Sequence, residues 1–118
     1  MKSLILSFLL SITLVIVVHA DDAVMDAEID YILETVAASN CVFIRNGKEH
    51  EAESAKSHLN MKRDRGKKYY SNADEFIENL ASSSSWSGKP YYIRCGEEEK
   101  QLAKEWFSAV LAEYRGKQ

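Results

Sequence analysis

Two five-residue segments, CVFIR at 41–45 and YYIRC at 91–95, each carry one of the chain's two cysteines, and they constrain the fold more than any other feature. Both are short and rich in β-branched and aromatic residues, the composition of a half-buried strand. Asn46-Gly47 follows the first at once and is a sharp turn signal. Pro90 suits the first residue of the second strand. Two strands alone rarely make a stable sheet, so they must pair with each other and lie on helices. If they run antiparallel with Cys41 opposite Cys95, Phe43 falls opposite Ile93 on the bridge face, and both point into the core.

Whether the cysteines can join depends on the compartment. Lys2 supplies a positive start, Leu4 to Val18 is apolar apart from Ser7, Ser11 and Thr13, and Val18-His19-Ala20 places small residues where a signal peptidase reads. The apolar run is shorter than the ~20 residues of a membrane-spanning helix. Residues 1–20 therefore read as a signal peptide cleaved after Ala20. Residues 21–118 form one domain, periplasmic or secreted, with no membrane association once the leader is gone. Exported cysteines most simply form a disulfide, here Cys41–Cys95. Closing a loop of about 54 residues stabilises by about 4 kcal/mol through loop entropy. A metal site is not expected, because His50 and His58 are not at i,i+4 spacing and no Cys-x-x-Cys exists. No cofactor is expected either.

The rest of the chain reads as helix. Met25, Ile29, Ile32, Leu33 and Val36 give an amphipathic helix over 22–39. From Lys48 to about Arg65 the apolar stripe is thin, Ala52, Ala55 and Leu59 with His58 beside it. Ser71 or Asn72 can cap a third helix carrying Phe76, Ile77 and Leu80. After Gly96, Glu97 to Glu99 sit in the first turn of a fourth, whose stripe runs through Leu102, Ala103, Trp106, Phe107, Val110, Leu111 and Tyr114, with Gly116 as a left-handed stop. The expected class is α+β, mainly helical, with about four helices and a two-stranded antiparallel sheet, in the order α-β-α-α-β-α.

Charge narrows the function classes. The whole chain carries a net charge of −3, one unit more negative without Lys2, so a nucleic-acid surface is not expected. The basic run Lys62, Arg63, Arg65, Lys67 and Lys68 reads as a solvated helix face. Arg45 is expected to tie backbone carbonyls or Glu49.

The stretch SSSSWSGKP at 82–90 resists a packing explanation. Its serines can satisfy backbone groups where helix gives way to strand, with Trp86 as a lid on the core edge. Equally, Ser85, Ser87, Gly88 and Lys89 with exposed aromatics Trp86, Tyr91 and Tyr92 suit recognition of a protein or glycan of the cell envelope. His58 would hydrogen-bond the serine loop. The alternative is a small hydrolase using a serine of the Ser82–Ser87 loop with Lys89 or His58 as base, but no Gly-x-Ser-x-Gly elbow is present. The chain is thus expected to be a binding domain and not an enzyme. Its candidate binding residues are Ser85, Ser87, Gly88, Lys89, Tyr91 and His58.

FIRNGKEHEAESAKSHLNMK (43–62) and NADEFIENLASSSSWSGKPYYI (72–93) resemble the YfeK-like family of small exported bacterial proteins, over roughly residues 27 to 115. The resemblance implies export and one compact domain. It implies no reaction, although inhibition of a cell-wall hydrolase is one form that envelope binding would take.

Overall fold

The computed structural model describes residues 7–14 and 20–118, so most of the leader expected at 1–20 lies outside the described residues, His19 of its cleavage motif included. Residues 7–14 have no regular secondary structure and are exposed. Among the described residues, no helix is long and apolar enough to cross a membrane.

Helix α1 spans Ala20–Ala38, and its buried Ile29, Ile32, Leu33 and Val36 recur at the three- and four-residue spacing of one helix face. That face lies against α2 (Ala52–Arg65) and α4 (Ala103–Gly116). Arg63 of α2 secures the first contact, with Nη1 2.6 Å from Asp30 Oδ1 and Nη2 3.2 Å from Asp26 Oδ1. Arg115 of α4 secures the second by donating to buried Glu28, Nε to Oε2 at 2.6 Å. Helix α3, Ala73–Phe76, continues into a π-helical turn over Ile77–Ala81. Asn72 caps it, its side chain accepting from the Glu75 amide at 2.8 Å.

Among the described residues the sheet is antiparallel and has four strands, where two were expected. Its order is β2 (Lys48–His50), β1 (Val42–Arg45), β3 (Tyr92–Arg94), β4 (Gln101–Leu102). Asn46 and Gly47 both have positive φ, 51° and 77°, as a two-residue hairpin turn requires, and the turn folds Lys48–His50 back onto β1. Those residues had been expected to open the second helix. Pairing with β1 satisfies their backbone groups, and Arg94 reaches across to Glu49 at 2.8 Å. At the other edge, Gly96 adopts a φ of 62° and the chain turns through 97–100, so Gln101 and Leu102 pair with Ile93 and Tyr92 before α4 begins. Glu97 to Glu99 therefore precede α4 instead of forming its first turn, and Gly116 lies within the helix, not at a left-handed stop.

The central pair keeps the expected register. Phe43 stands opposite Ile93, both buried, and Cys41 and Cys95 are joined by a disulfide at the end of that row. Phe43 stacks on Phe107 at 6.2 Å between centroids. Trp106 meets Phe43 edge-on at 6.1 Å and is only partly buried. The fold is α+β and mainly helical.

Candidate functional site

Side chains alternate faces along a strand, so the row that carries Cys41 and Phe43 continues to Arg45, and the row that carries Cys95 and Ile93 continues to Tyr91. The disulfide closes one end of this core-facing strip. Arg45 and Tyr91 stand at the other. Helix α2 meets them there, because its buried positions Ala52, Ala55, Leu59 and Lys62 form one stripe that ends in a lysine where a leucine would continue it.

The result is a compact polar cluster. Lys62, 7% exposed, donates from Nζ to the Ser83 carbonyl at 2.9 Å and to Tyr91 Oη at 3.3 Å. Arg45 Nη1 lies 2.6 Å from Nδ1 and 2.9 Å from Nε2 of His58, and Nη2 lies 3.4 Å from His50 Nε2. Nε2 of His58 is 3.2 Å from Tyr91 Oη. Among the described residues neither Arg45 nor Lys62 forms a salt bridge with a carboxylate. The electrostatics follow from that crowding. Burial, then Arg45, pushes the Lys62 ammonium down to about 8. Burial, then Arg45, Lys62 and His50, pushes His58 down to about 4, so its ring is neutral at pH 7. Burial raises the Tyr91 phenol, which stays protonated.

Above this cluster opens a cavity of about 400 Å³. Lys62, Arg45 and Tyr91 line its floor, Arg65 and Tyr69 belong to the α2 side, and Ser84, Ser85 and Trp86 to the loop side. Glycine at position 66 is required for this wall, since a Cβ there would lie 2.7 Å from Leu80 Cδ1 and 2.8 Å from the Lys62 carbonyl.

Most of the loop's hydroxyls serve the loop itself. Ser84 is buried; its Oγ accepts from the amides of Trp86 at 3.3 Å and Ser87 at 3.2 Å, and its amide donates to the Lys89 carbonyl at 2.9 Å. Ser82 Oγ donates to the Glu78 carbonyl at 2.7 Å. Ser87 Oγ donates to Asn46 Oδ1 at 2.6 Å, and Asn46 Nδ2 donates to Ser84 Oγ at 3.3 Å, so the hairpin turn and the loop brace each other. Ser85 is different. It is exposed, lines the cavity, and its hydroxyl has no protein partner among the described residues.

Of the residues singled out from the sequence, His58, Tyr91 and Ser85 come together around the cavity, whereas Ser87, Gly88 and Lys89 lie outside its lining. Tyr91 is not an exposed aromatic: it is 6% exposed, its ring buried and its hydroxyl turned to the cluster. Trp86 is not a lid on the core but stands 94% exposed at the cavity rim. His58 bonds Arg45 and Tyr91 and not the serine loop; Lys62 makes that contact instead. Arg45 binds histidines, and Glu49 goes to Arg94. The basic run is only partly solvated, since Lys62 is buried and Arg63 is paired with α1. Lys62 and Arg45 are the residues that sequence reading undervalued. Strand parity beyond Phe43 and the fourth position of the α2 stripe are the signals that point to them. No hydrogen bond joins a serine hydroxyl to Lys89 Nζ or to His58 among the described residues.

No solved structure matches the chain. A curated protein of Salmonella typhimurium strain LT2, named Uncharacterized protein YfeK, is 40% identical over 67 residues. The aligned part covers 56% of this chain and 56% of that protein, so the chain spans little more than half the length of the relative it matches. A family described only as being of unknown function matches residues 23–115, from α1 to the last turn of α4, and takes in every residue of the cluster. Neither description names an activity. The chain therefore belongs to the family of unknown function DUF5329, which bears out its resemblance to YfeK-like proteins.

Proposed function

We propose that this chain is an exported, non-catalytic binding domain that takes a protein or glycan of the cell envelope in the cavity between α2 and the serine loop. The observation that carries this reading is a concave site of about 400 Å³ whose floor holds Arg45 and Lys62, neither of them paired with a carboxylate among the described residues. Burying a cation without a counter-charge is costly, and a charged group kept in that state at the floor of a cleft is a functional-site candidate. Pre-formation supports the same reading. Ser84, Ser87 and Asn46 hold the loop through bonds among themselves, so little ordering entropy is lost when a ligand arrives. If the exposed Trp86–Lys89 rim entered a partner's cleft, binding would take the form of inhibition of a cell-wall hydrolase.

The test is titration of protein purified after export against purified cell-wall glycan fragments and against solubilised envelope proteins. One of the two should bind saturably, and Arg45→Ala should lose at least tenfold in affinity. Binding by neither fraction would sink the reading. Accumulation of an acyl-enzyme on Ser85 with ester substrates would replace it with the hydrolase.

A further inference from the structure

The cavity has a cationic floor and aromatic walls, and together these restrict what can occupy it. Among the described residues the lining side chains include Arg45, Lys62 and Arg65 and not a single carboxylate, although the chain as a whole is acidic. Lys62 has three N–H donors and two protein acceptors, Ser83 O and Tyr91 Oη. One donor is left at the cavity. Arg45 has five N–H donors, and among the described residues its closest hydrogen-bond partners are the nitrogens of His58 and His50. Tyr91 Oη accepts from Lys62 Nζ, and because Arg45 donates to Nδ1 of the neutral His58, the ring hydrogen sits on Nε2 and is also donated to Tyr91 Oη, which leaves the phenol its own proton to give. Three donors on two charged groups and a phenol suit one oxyanion. A cavity of about 400 Å³ is far larger than a bare anion, and Trp86 at 94% and Tyr69 at 53% exposure offer flat apolar faces at its edge. The Ser85 hydroxyl adds a neutral hydrogen-bonding group on the same side.

We infer that the ligand is an acidic saccharide, its carboxylate or phosphate held by Lys62, Arg45 and Tyr91 Oη and its ring laid against Trp86 and Tyr69. This rests on the binding-domain reading and narrows its ligand to the charged glycan. Arg45 and Lys62 supply affinity for the anionic group, and the aromatic faces select a ring over an extended chain. A neutral sugar would leave both cations uncompensated, and a bare anion would leave the aromatic rim empty.

The experiment is titration of the exported protein with glucuronate, glucose 6-phosphate and glucose, followed by the indole resonance of Trp86 and the amides of Ser84 to Trp86. Concentrations run up to about 20 mM, where millimolar affinities remain visible. At least one acid should bind at least tenfold more tightly than glucose. Binding of glucuronate alone assigns a carboxylate head group, and of glucose 6-phosphate alone a phosphate. Arg45→Gln and Lys62→Met should each abolish the preference, whereas Lys117→Ala, at the far end of α4, should leave it intact. Arg45 is only half-buried, so its variant keeps the test decisive should Lys62→Met fail to fold. Equal binding of glucose, no shift with either acid, or a preference that survives both variants would overturn the inference. Failure here with saturable binding of envelope proteins would leave the broader reading standing. Acid binding without any envelope ligand would do the reverse.

Discussion

Lys62 Nζ lies 3.3 Å from Tyr91 Oη and 5.0 Å from the centroid of the same ring, so a buried ammonium is held by a phenol and the Ser83 carbonyl with no carboxylate in attendance among the described residues. Removing that charge relieves its desolvation but leaves the carbonyl without a donor, a loss of about 1–3 kcal/mol. Because the two effects oppose, Lys62→Met should change unfolding free energy by no more than about 1 kcal/mol. Denaturant unfolding measures this directly. A loss above about 3 kcal/mol would make Lys62 a structural clamp and not a ligand-facing cation.

Acidification should act through His58. Its folded value is depressed to about 4 from the ordinary 6.5, so the neutral ring's contribution is complete above pH 6.5 and is lost as pH falls through about 4. Protonation would set a third cation beside Arg45 and Lys62. Thermal unfolding of the wild type should therefore fall more steeply between pH 6.5 and 4 than that of His58→Gln. Parallel curves across that window would show that the histidine does not titrate against the cluster.

The Cys41–Cys95 bridge closes a sequence separation of 54 residues. Thiol alkylation of the denatured, non-reduced protein should label neither cysteine, and the Cys41→Ser, Cys95→Ser double variant should lose about 4 kcal/mol of stability. Full labelling of both thiols would show that the protein in solution does not carry the bond.

Within the α4 stripe the burden falls on Phe107. It is 1% exposed and stacked on Phe43, whereas Trp106 is only partly buried. Phe107→Ala should destabilise by about 3–5 kcal/mol, and Trp106→Ala by about half as much because less of its surface leaves water on folding. Chemical denaturation of the two variants settles the order. Equal losses would mean that the helix presents a different face to the sheet.

Local physics determined a large part of this protein. Two left-handed residues at Asn46-Gly47 allow only a tight reversal, a period of two sets Phe43 opposite Ile93 once the cysteines face each other, and a 3.6-residue stripe orients α4. Asn72 caps its helix through a bond to an amide three residues away. The turn, the stripe and the cap depend on neighbours in the chain, and the strand register follows from the period of two once the one possible cysteine pair is joined, so each is legible in the sequence. The edge strands are not. Lys48–His50 and Gln101–Leu102 lack apolar alternation and exist because β1 and β3 offer unpaired backbone groups to them. Nor is the cluster fully legible. Lys62 looks like one cation in a solvated run until α2 turns it onto the strip that ends at Arg45 and Tyr91. His58 has Arg45 as its partner only because a strand 13 residues earlier packs beneath it. Burial and charge pairing depend on distances through space, which periodicity cannot report, so only the tertiary structure decided which of the chain's many cations would stand in a cavity without an anion.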